Sequence, residues 1–397
     1  MIDIGLPSYV EGMTGDKSLS KAVNRGLLLN ILREEGSISR ASLAKVSGLN
    51  KATVSSQIAE LIEMGIVRET GTGDSGLGRK PVMLEIDGSA GFTLGISIIT
   101  ESLHVTVMDL SRNTVMDELV PISSAVPAKV FQAIFKVINR VEKTLPVSRY
   151  GLTGIGIAVP GVVDKDGAKV VRSAKLDWTN VELRSNIEKK YSGILHIGND
   201  ATLATIAERE CYNSDSQDLV CVLLDEGIGS GAYINGAIHY GFNGKFGEVG
   251  HMTIAYDGPR CPCGNYGCWD MLGSEFSLRR DLAQAGGGVI PSQEMMVKYA
   301  AEMPAWSRDV FDRFAGYTTA GVVSLINAFG PSSIVINSDI LRASEYLFDK
   351  IKSEVENRTM TRSPECEIKL SVLGKTAPTT GACIAVAEKF YHGMVVR

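Results

Sequence analysis

Between Ser39 and Gly65 the chain reads SRASLAKVSGLNKATVSSQIAELIEMG. Ser39 can cap a short helix, Arg40 to Val46, because its hydroxyl oxygen can accept from an N–H that has no partner within the first helical turn. Ser47-Gly48-Leu49-Asn50 follows as a turn. From Lys51 to Met64 the next helix sets Val54, Ile58, Leu61 and Ile62 at i, i+4, i+7 and i+8, a buried stripe, and leaves Lys51, Thr53, Ser56 and Gln57 on another face. Upstream, Ser20 to Glu34 carries its own stripe of Val23, Leu27, Leu28, Ile31 and Leu32. Gly65 ends the third helix before two strands, Ile66 to Glu69 and Val82 to Ile86, which flank GTGDSGLGRKP. The pattern over residues 17–86 is a winged helix-turn-helix. Lys51, Thr53, Ser56 and Gln57 are then placed for base edges in a major groove, and Arg79 and Lys80 on the wing for phosphates or an adjacent minor groove. Three helices of this kind can also serve as a packing module for protein contacts, so the distribution of charge becomes the next discriminator.

The whole chain, 397 residues, has 40 basic and 45 acidic residues and a net charge of −5, which excludes a generally basic nucleic-acid coat. Residues 17–86 hold ten Lys/Arg and seven Asp/Glu, net +3, and the remainder is therefore −8. A weakly basic head on an acidic body is the footprint of a small DNA-binding module attached to a soluble domain. No segment approaches the ~20 consecutive apolar residues of a membrane span, and residues 1–16 read as an N-terminal arm without an export signal. A cytoplasmic protein that engages no membrane is expected.

After residue 90, strand-like and helix-like runs alternate. FTLGISII and SLHVTVMDL form an expected hairpin, Ala128 to Thr144 a helix, and LTGIGIAVPG a buried strand running into a turn. Helix Val181 to Lys190, strand ILHIGN, helix Thr202 to Glu210, strand LVCVLLD and its hairpin partner GAYING come next, an α/β body of about 300 residues. The strongest chemical motif is CPCGNYGC, which brings Cys261, Cys263 and Cys268 within eight residues, with Gly264 and Gly267 allowing a tight chain. With His251 ten residues earlier, the set suits a closed tetrahedral zinc site, structural because no ligand position stays open, one Zn²⁺ per chain. The other reading is three reduced cysteines in a loop. Cys211, Cys221, Cys366 and Cys383 read as apolar fillers.

At GIAVPGVVD, HIGNDAT, EGIGSGAYING, GEVGHMTI and CPCGNYGCWD the sequence resembles the ROK family, whose name joins repressors, open reading frames and sugar kinases. The head, with GLGRKPVML behind it, is similar to bacterial ROK repressors of the xylose-repressor type. The resemblance implies a two-lobed actin-like, ribonuclease-H-type sugar-kinase fold behind the winged helix. Lobe I would comprise residues 87–199 and 380–397, and lobe II, carrying the zinc motif, residues 200–379. It further implies that a sugar in the cleft meets Asn199, Asp200, Glu248, His251 and Asp270. In kinases of the family the position of Asp200 holds the general base, and that of Asp270 usually holds a glutamate one methylene longer. Lys175 stands where relatives often have Asn. If one nitrogen of His251 binds metal, the other can face a sugar hydroxyl.

Phosphoryl transfer needs glycine turns around the nucleotide phosphates and carboxylates for Mg²⁺. Against the family pattern, Ser97 stands for an Asp, Ile99 crowds the first phosphate turn, Asp225-Glu226 replaces a Gly-Thr pair, and Asn337, Ser338 and Asp339 follow a strand that usually ends in paired glycines. These losses favour a sugar sensor over an enzyme. The expected function is a DNA-binding repressor of carbohydrate-utilisation genes, a homodimer or higher even oligomer on a palindromic operator, released by a xylose-like or other monosaccharide. A regulator controlled by a protein partner, and a sugar kinase with a regulatory head, are the alternatives.

Overall fold

In this computed structural model, which describes residues 17–72, 81–360 and 366–396, Ser39 caps the second helix by accepting from the Ser42 N–H at 3.1 Å. Asn50 caps the third in the same way, accepting from Thr53 at 2.8 Å. The head consists of α1 (Lys17–Glu35), β1 (Ile38–Ser39), α2 (Arg40–Ser47), α3 (Lys51–Glu63), β2 (Val67–Thr72) and β3 (Val82–Ile86), its strands antiparallel in the order β1-β3-β2. Gly48, at φ 70°, ends α2 in the left-handed conformation that turns the chain into α3. The expected arm, residues 1–16, and the wing cations Arg79 and Lys80 lie outside the described residues.

One expectation for the head is corrected. Gln57 is buried, at 6% exposure, and its Oε1 has no hydrogen-bond partner among the described residues. The buried stripe of α3 is Val54, Gln57, Ile58 and Leu61, whereas Ile62 is only half-buried. Spacing i, i+3, i+4, i+7 puts Gln57 in the middle of that stripe. The exposed face instead carries Lys51, Ala52, Ser55, Ser56 and Ala59, with Thr53 half-buried. Gln57→Met is therefore expected to raise thermal stability by about 1 kcal/mol, by removing an unsatisfied buried oxygen, and to leave operator preference unchanged. Ser56→Ala will shift preference among operator variants. Melting curves and binding to a panel of single-base operator variants check both.

In the body, one sheet runs β11-β7-β4-β5-β6, built from β4 (Phe92–Ile98), β5 (Ser102–Asp109), β6 (Thr114–Pro121), β7 (Leu152–Val159) and β11 (Ile194–Asn199). The hairpin strands pair antiparallel, while β7 lies parallel to both β4 and β11. Helix α4 (Pro127–Thr144) buries Val130, Ile134, Val137, Ile138 and Val141 in the core of this sheet. A small antiparallel sheet of β8 (Val162–Val163), β9 (Lys169–Ser173) and β10 (Trp178–Glu182) then precedes α5 (Leu183–Glu188). The helix expected over Val181 to Lys190 thus forms over Leu183–Glu188, starting two residues late because Val181 and Glu182 belong to β10. Trp178, 2% exposed, donates through Nε1 to the Ala125 carbonyl at 2.7 Å, and Val181 pairs with Val170, so packing and pairing hold the segment extended.

Helix α6 (Asp200–Tyr212) leads to the second sheet, order β14-β13-β12-β15-β16. Its strands are β12 (Leu219–Leu224), β13 (Ile228–Ile234), β14 (Ala237–Ile238), β15 (Ser333–Asn337) and β16 (Glu367–Leu370). Helices α7 (Trp269–Gly273), α8 (Glu275–Ala285), α9 (Gln293–Glu302), α10 (Arg308–Phe329), α11 (Asp339–Arg342) and α12 (Glu345–Arg358) belong with it. The last helix, α13 (Ala377–Val396), returns to pack on β4, β7 and β11 of the first sheet and along α6. Backbone approach there demands glycine. A Cβ on Gly156 would meet the Ala382 carbonyl at 2.3 Å, and one on Gly381 the Leu203 carbonyl at 1.7 Å. Two five-stranded sheets with helices between them are the two lobes of the actin-like, ribonuclease-H-type fold. No helix among the described residues is long and apolar enough to cross a membrane.

Head and body share one core. Leu28, Leu29 and Leu32 of α1 pack in the same cluster as Phe390, Tyr391 and Met394 of α13. Polar contacts lock it. Arg25 donates to the Met394 carbonyl at 3.0 Å, and Arg33 pairs with Glu388 of α13 and, at 3.9 Å, with Glu210 of α6. Past the C-terminus of α3, the Glu63 and Met64 carbonyls accept from Arg149 at 2.9 Å and from the Tyr150 hydroxyl at 2.7 Å.

Candidate functional site

The carboxyl ends of β7, β11 and β12 open into a cleft of about 810 Å³ between the lobes, the position in open α/β sheets where ligands bind. Asn199, Asp200, Glu248, His251 and Asp270, all expected from the sequence, line this cleft together. Asn199 ends β11 and caps α6, its Oδ1 accepting from Thr202 N–H at 2.9 Å while its Nδ2 donates to the Gly161 carbonyl at 2.9 Å. Both ends of the amide hold the cleft's own backbone, so Asn199 frames the site and keeps one amide hydrogen to offer. Asp200, the first residue of α6, accepts from Ala201 N–H at 2.9 Å. Burial raises its pKa to about 6 against the opposing pull of Lys175.

Glu248 and Asp270 complete an acceptor-rich wall. Burial raises the pKa of each, His251 opposes both shifts, and Asp270 adds to the rise at Glu248. One Asp270 oxygen accepts from the Ile228 N–H at 2.7 Å and so pins the start of β13. The shorter aspartate thus has a backbone task, with its second oxygen left over. Carboxylates with a histidine beside them form the acceptor and donor pattern that polyhydroxylated ligands require.

His251 links this wall to the cysteine motif. Its Nδ1 lies 3.7 Å from Cys261 Sγ, Cys263 and Cys268 sulfurs are 3.7 Å apart, and the four potential ligand atoms all fall within 4.8 Å of one another. Two thiolates, each ~2.3 Å from one tetrahedral metal, stand about 3.8 Å apart, so the set fits a single metal ion. The other ring nitrogen, Nε2, is 3.8 Å from Glu248 Oε2 on the cleft side. Gly267, at φ 62°, makes the loop possible, because a Cβ there would lie 1.6 Å from the Ala255 carbonyl.

Beyond the end of β12, where one of the expected losses around the nucleotide phosphates lies, charges of the cleft pair with one another. Lys175, in the turn between β9 and β10, reaches across to Asp225 at 3.6 Å and Glu226 at 3.3 Å, beyond the end of β12. The two carboxylates that replace the family's Gly-Thr pair therefore already hold an internal cation, and they tie the lobes together. Sequence reasoning noted Lys175 and the acidic pair separately and missed that they meet. Glu275, 1% exposed, has its pKa raised to about 8 by burial and by Asp225. Ser338 caps α11 by accepting from Leu341 N–H at 3.4 Å, and Asp339 pairs with Lys375 at 3.0 Å. Ser97 is buried within β4. Ile99 lines the cleft.

The model of the ROK family matches residues 93–389, and that of a winged helix-turn-helix DNA-binding domain matches residues 24–68. The chain belongs to the ROK family. This ROK protein is 33% identical to the xylose repressor of Bacillus subtilis (strain 168) over 377 residues, 94% of this chain and 97% of that one. It is 24% identical to the DNA-binding transcriptional dual regulator NagC of Escherichia coli (strain K12), over 88% of each chain. Among solved structures it superimposes on a ROK family transcriptional regulator, a homolog of the E. coli MLC protein, with a TM-score of 0.79 at 24% identity, covering 95% of this chain and 98% of that one. A ROK family glucokinase from Streptomyces griseus, in complex with glucose and AMPPNP, superimposes at 0.68 with 22% identity, over 74% of this chain and 99% of that one. The glucokinase match shows that the body has the kinase fold. The regulator match extends over nearly the whole chain.

Two elements of this ROK protein have one end at the cleft and the other at the head, and a third runs from the first sheet to the head. Strand β7 begins beside Tyr150, which holds the end of the α3 segment, and leads into Pro160-Gly161 of the cleft. Helix α6 begins at Asp200 and carries Glu210 near its end, where Arg33 of α1 and Arg112 meet it. Helix α13 starts beside β4 at Thr379 and ends in the head's core. The apolar stripe of α1 was legible in the sequence. That it continues into the last helix of the chain was not, since nothing local pairs residue 28 with residue 390.

Proposed function

We propose that this ROK protein is a sugar-responsive transcriptional repressor of carbohydrate-utilisation genes, released from a palindromic operator when a monosaccharide closes the cleft. The observation that carries the proposal is α6, whose first residue is the acidic group in the cleft and whose last turn is ion-paired to the head. The 33% identity to a xylose repressor over 94% of this chain supports a xylose-like effector. We assign Zn²⁺ to the His251, Cys261, Cys263 and Cys268 cluster, one structural ion per chain, which fixes the His251 ring for a sugar hydroxyl. The working unit is a cytoplasmic homodimer, since two half-sites call for two heads related by two-fold symmetry. Titrating protein–operator complexes with pentoses, hexoses and amino sugars tests the reading. Release by at least one sugar is expected, and operator affinity indifferent to all of them overturns it.

Asp200 is proposed to accept a sugar hydroxyl as carboxylate, which sets a pH dependence. Its folded-state pKa of about 6 is raised above the ordinary value, so the ionised form is the disfavoured one and is lost as pH falls. Sugar affinity is expected to fall about tenfold from pH 7 to pH 5. In Asp200→Asn, affinity should be weaker throughout and lose this component. Calorimetric titration at five pH values measures it.

The same raised pKa would suit a general base, which is the observation favouring a kinase. Against it stand the Lys175 ion pairs and the buried Glu275. No sugar-dependent ATP turnover is expected. Turnover abolished by Asp200→Asn would establish the kinase instead.

A further inference from the structure

Asn199 walls a second cavity besides the sugar cleft, of about 80 Å³ against 810 Å³, too small for a sugar ring beside its neighbours. His196 of β11, Arg184 of α5 and Lys389 of α13 converge on it, with Tyr240 from the second lobe closing one side. The His196 imidazole makes no hydrogen bond to any described residue. Lys389 has one polar partner, the Leu195 carbonyl at 3.5 Å, and no carboxylate within ion-pair distance among the described residues. Arg184 is held in place by the Asp166 carbonyl at 3.1 Å and by Glu188 at 3.3 Å.

Arg184 is matched by Glu188, but Lys389 is left without a counter-charge among the described residues, in contrast to Lys175. Asp164 is in the wall, but its carboxylate is turned into its own loop, accepting from Ala168 and Lys169 N–H at 2.6 and 3.2 Å. Burial, then Lys389 and Arg184, hold the His196 ring far below its ordinary range, at about 3, and burial with Arg184 also lowers Lys389. Each group thus sits in a positive field. A partly desolvated ammonium such as Lys389, beside Arg184 and without a carboxylate of its own among the described residues, raises the free energy of the folded chain, and an anion removes that penalty.

We propose that this cavity binds a small oxyanion, inorganic phosphate or the phosphoryl group of a small monoester, through Arg184, Lys389 and a ring N–H of His196. Tetrahedral oxyanions match a guanidinium fork and an ammonium held at one point. The site also has a route to the rest of the molecule. Lys389 lies between Glu388, which pairs with Arg33 of the head, and Phe390, which packs in the head's core, while Asn199 is shared with the sugar cleft. An anion here is linked to both sugar and operator affinity. That regulatory consequence rests on the repressor reading, whereas the binding itself does not.

Calorimetric titration of the full chain in chloride buffer, first with inorganic phosphate and then with glycerol phosphate, tests the site. One saturable event per chain is expected, weakened about tenfold or more in Lys389→Met and in Arg184→Met, the loss of one charge-assisted contact. Lys190→Met, which removes a cation stacked on Phe135, should change nothing. Tighter binding of the monoester assigns the site to phosphoryl groups, and tighter binding of phosphate assigns it to the free ion. Absence of saturable heat with both probes, or heat unchanged in Lys389→Met and Arg184→Met, overturns the proposal and leaves the sugar response to be judged by operator release alone.

Discussion

Cys268→Ser is expected to lose the bound metal, lower the melting temperature by about 10 °C or more, and weaken sugar binding by ~10- to 100-fold. The residue is fully buried, and its sulfur stands 3.7 Å from that of Cys263. Serine cannot supply the thiolate, and three remaining ligands leave an open tetrahedron. The stability loss follows because the metal cross-links two separated segments, the turn at His251 and the loop from Cys261 to Cys268, adding to the backbone bonds from Ile254 to Gly267 and from Trp269 to Met252, both 2.9 Å, and the Thr253 and Asn265 contacts of 3.0 to 3.1 Å. The loss of sugar affinity follows by a different route. With Nδ1 anchored among the sulfurs, the ring presents Nε2 beside Glu248, and without the anchor the imidazole is free to rotate away from the wall. Cys211→Ser, outside the cluster, should leave both readouts unchanged. Metal analysis, melting curves and calorimetry on the two variants and on chelator-treated protein measure the result. A stable, metal-free wild type with full sugar affinity would sink the metal assignment.

The contrast between Cys268 and Gln57 shows what a sequence discloses. Cys261, Cys263 and Cys268 are close in the chain, and glycines between them leave few ways to fold, so the motif was legible from spacing. The same holds for Ser39, whose cap lies within one turn of the helix it starts. Gln57 is a question of phase. A polar residue on a helix with two plausible stripes is assigned outward by its chemistry, and only packing against α1 and α2 showed that Val54, Gln57, Ile58 and Leu61 form the buried stripe. The start of the helix expected from Val181 went astray for a related reason, since pairing of Val181 and Glu182 with β9 outweighed a local pattern compatible with helix. Lys175 is harder still. Fifty residues separate it from Asp225, and the unusual residue and the unusual pair each read as a loss until the fold put them in contact. Functional coupling sits at the far end of this series, because β7 and α6 join cleft and head, and α13 joins the first sheet to the head, only through contacts distant in sequence.

Breaking the joint at the end of α6 is expected to separate sugar binding from operator release. Glu210 meets Arg112 at 2.9 Å, Arg209 at 2.7 Å and Arg33 of the head at 3.9 Å, and the Arg33 guanidinium also pairs with Glu388. Glu210→Gln keeps the shape and removes the charge that α6 presents to the head, and Arg33→Met removes the head's side of the contact. Neither residue lines the cleft, so sugar affinity of the free protein should stay within about threefold of wild type, a surface-like change. What should collapse is the factor by which saturating sugar weakens operator binding, from the ~5- to 150-fold of an ordinary allosteric coupling toward one. A 13-residue helix is a rod of about 20 Å, and displacement of Asp200 at one end reaches the head only while Glu210 is held at the other. Linkage supplies an internal check, because operator must weaken sugar binding by the same factor that sugar weakens operator binding. Fluorescence anisotropy with and without sugar, and calorimetry with and without operator, measure the two sides. Full coupling retained in both variants would transfer the signal to β7 and α13, where Tyr150→Phe, which removes the hydroxyl that holds the Met64 carbonyl, is the next break to make.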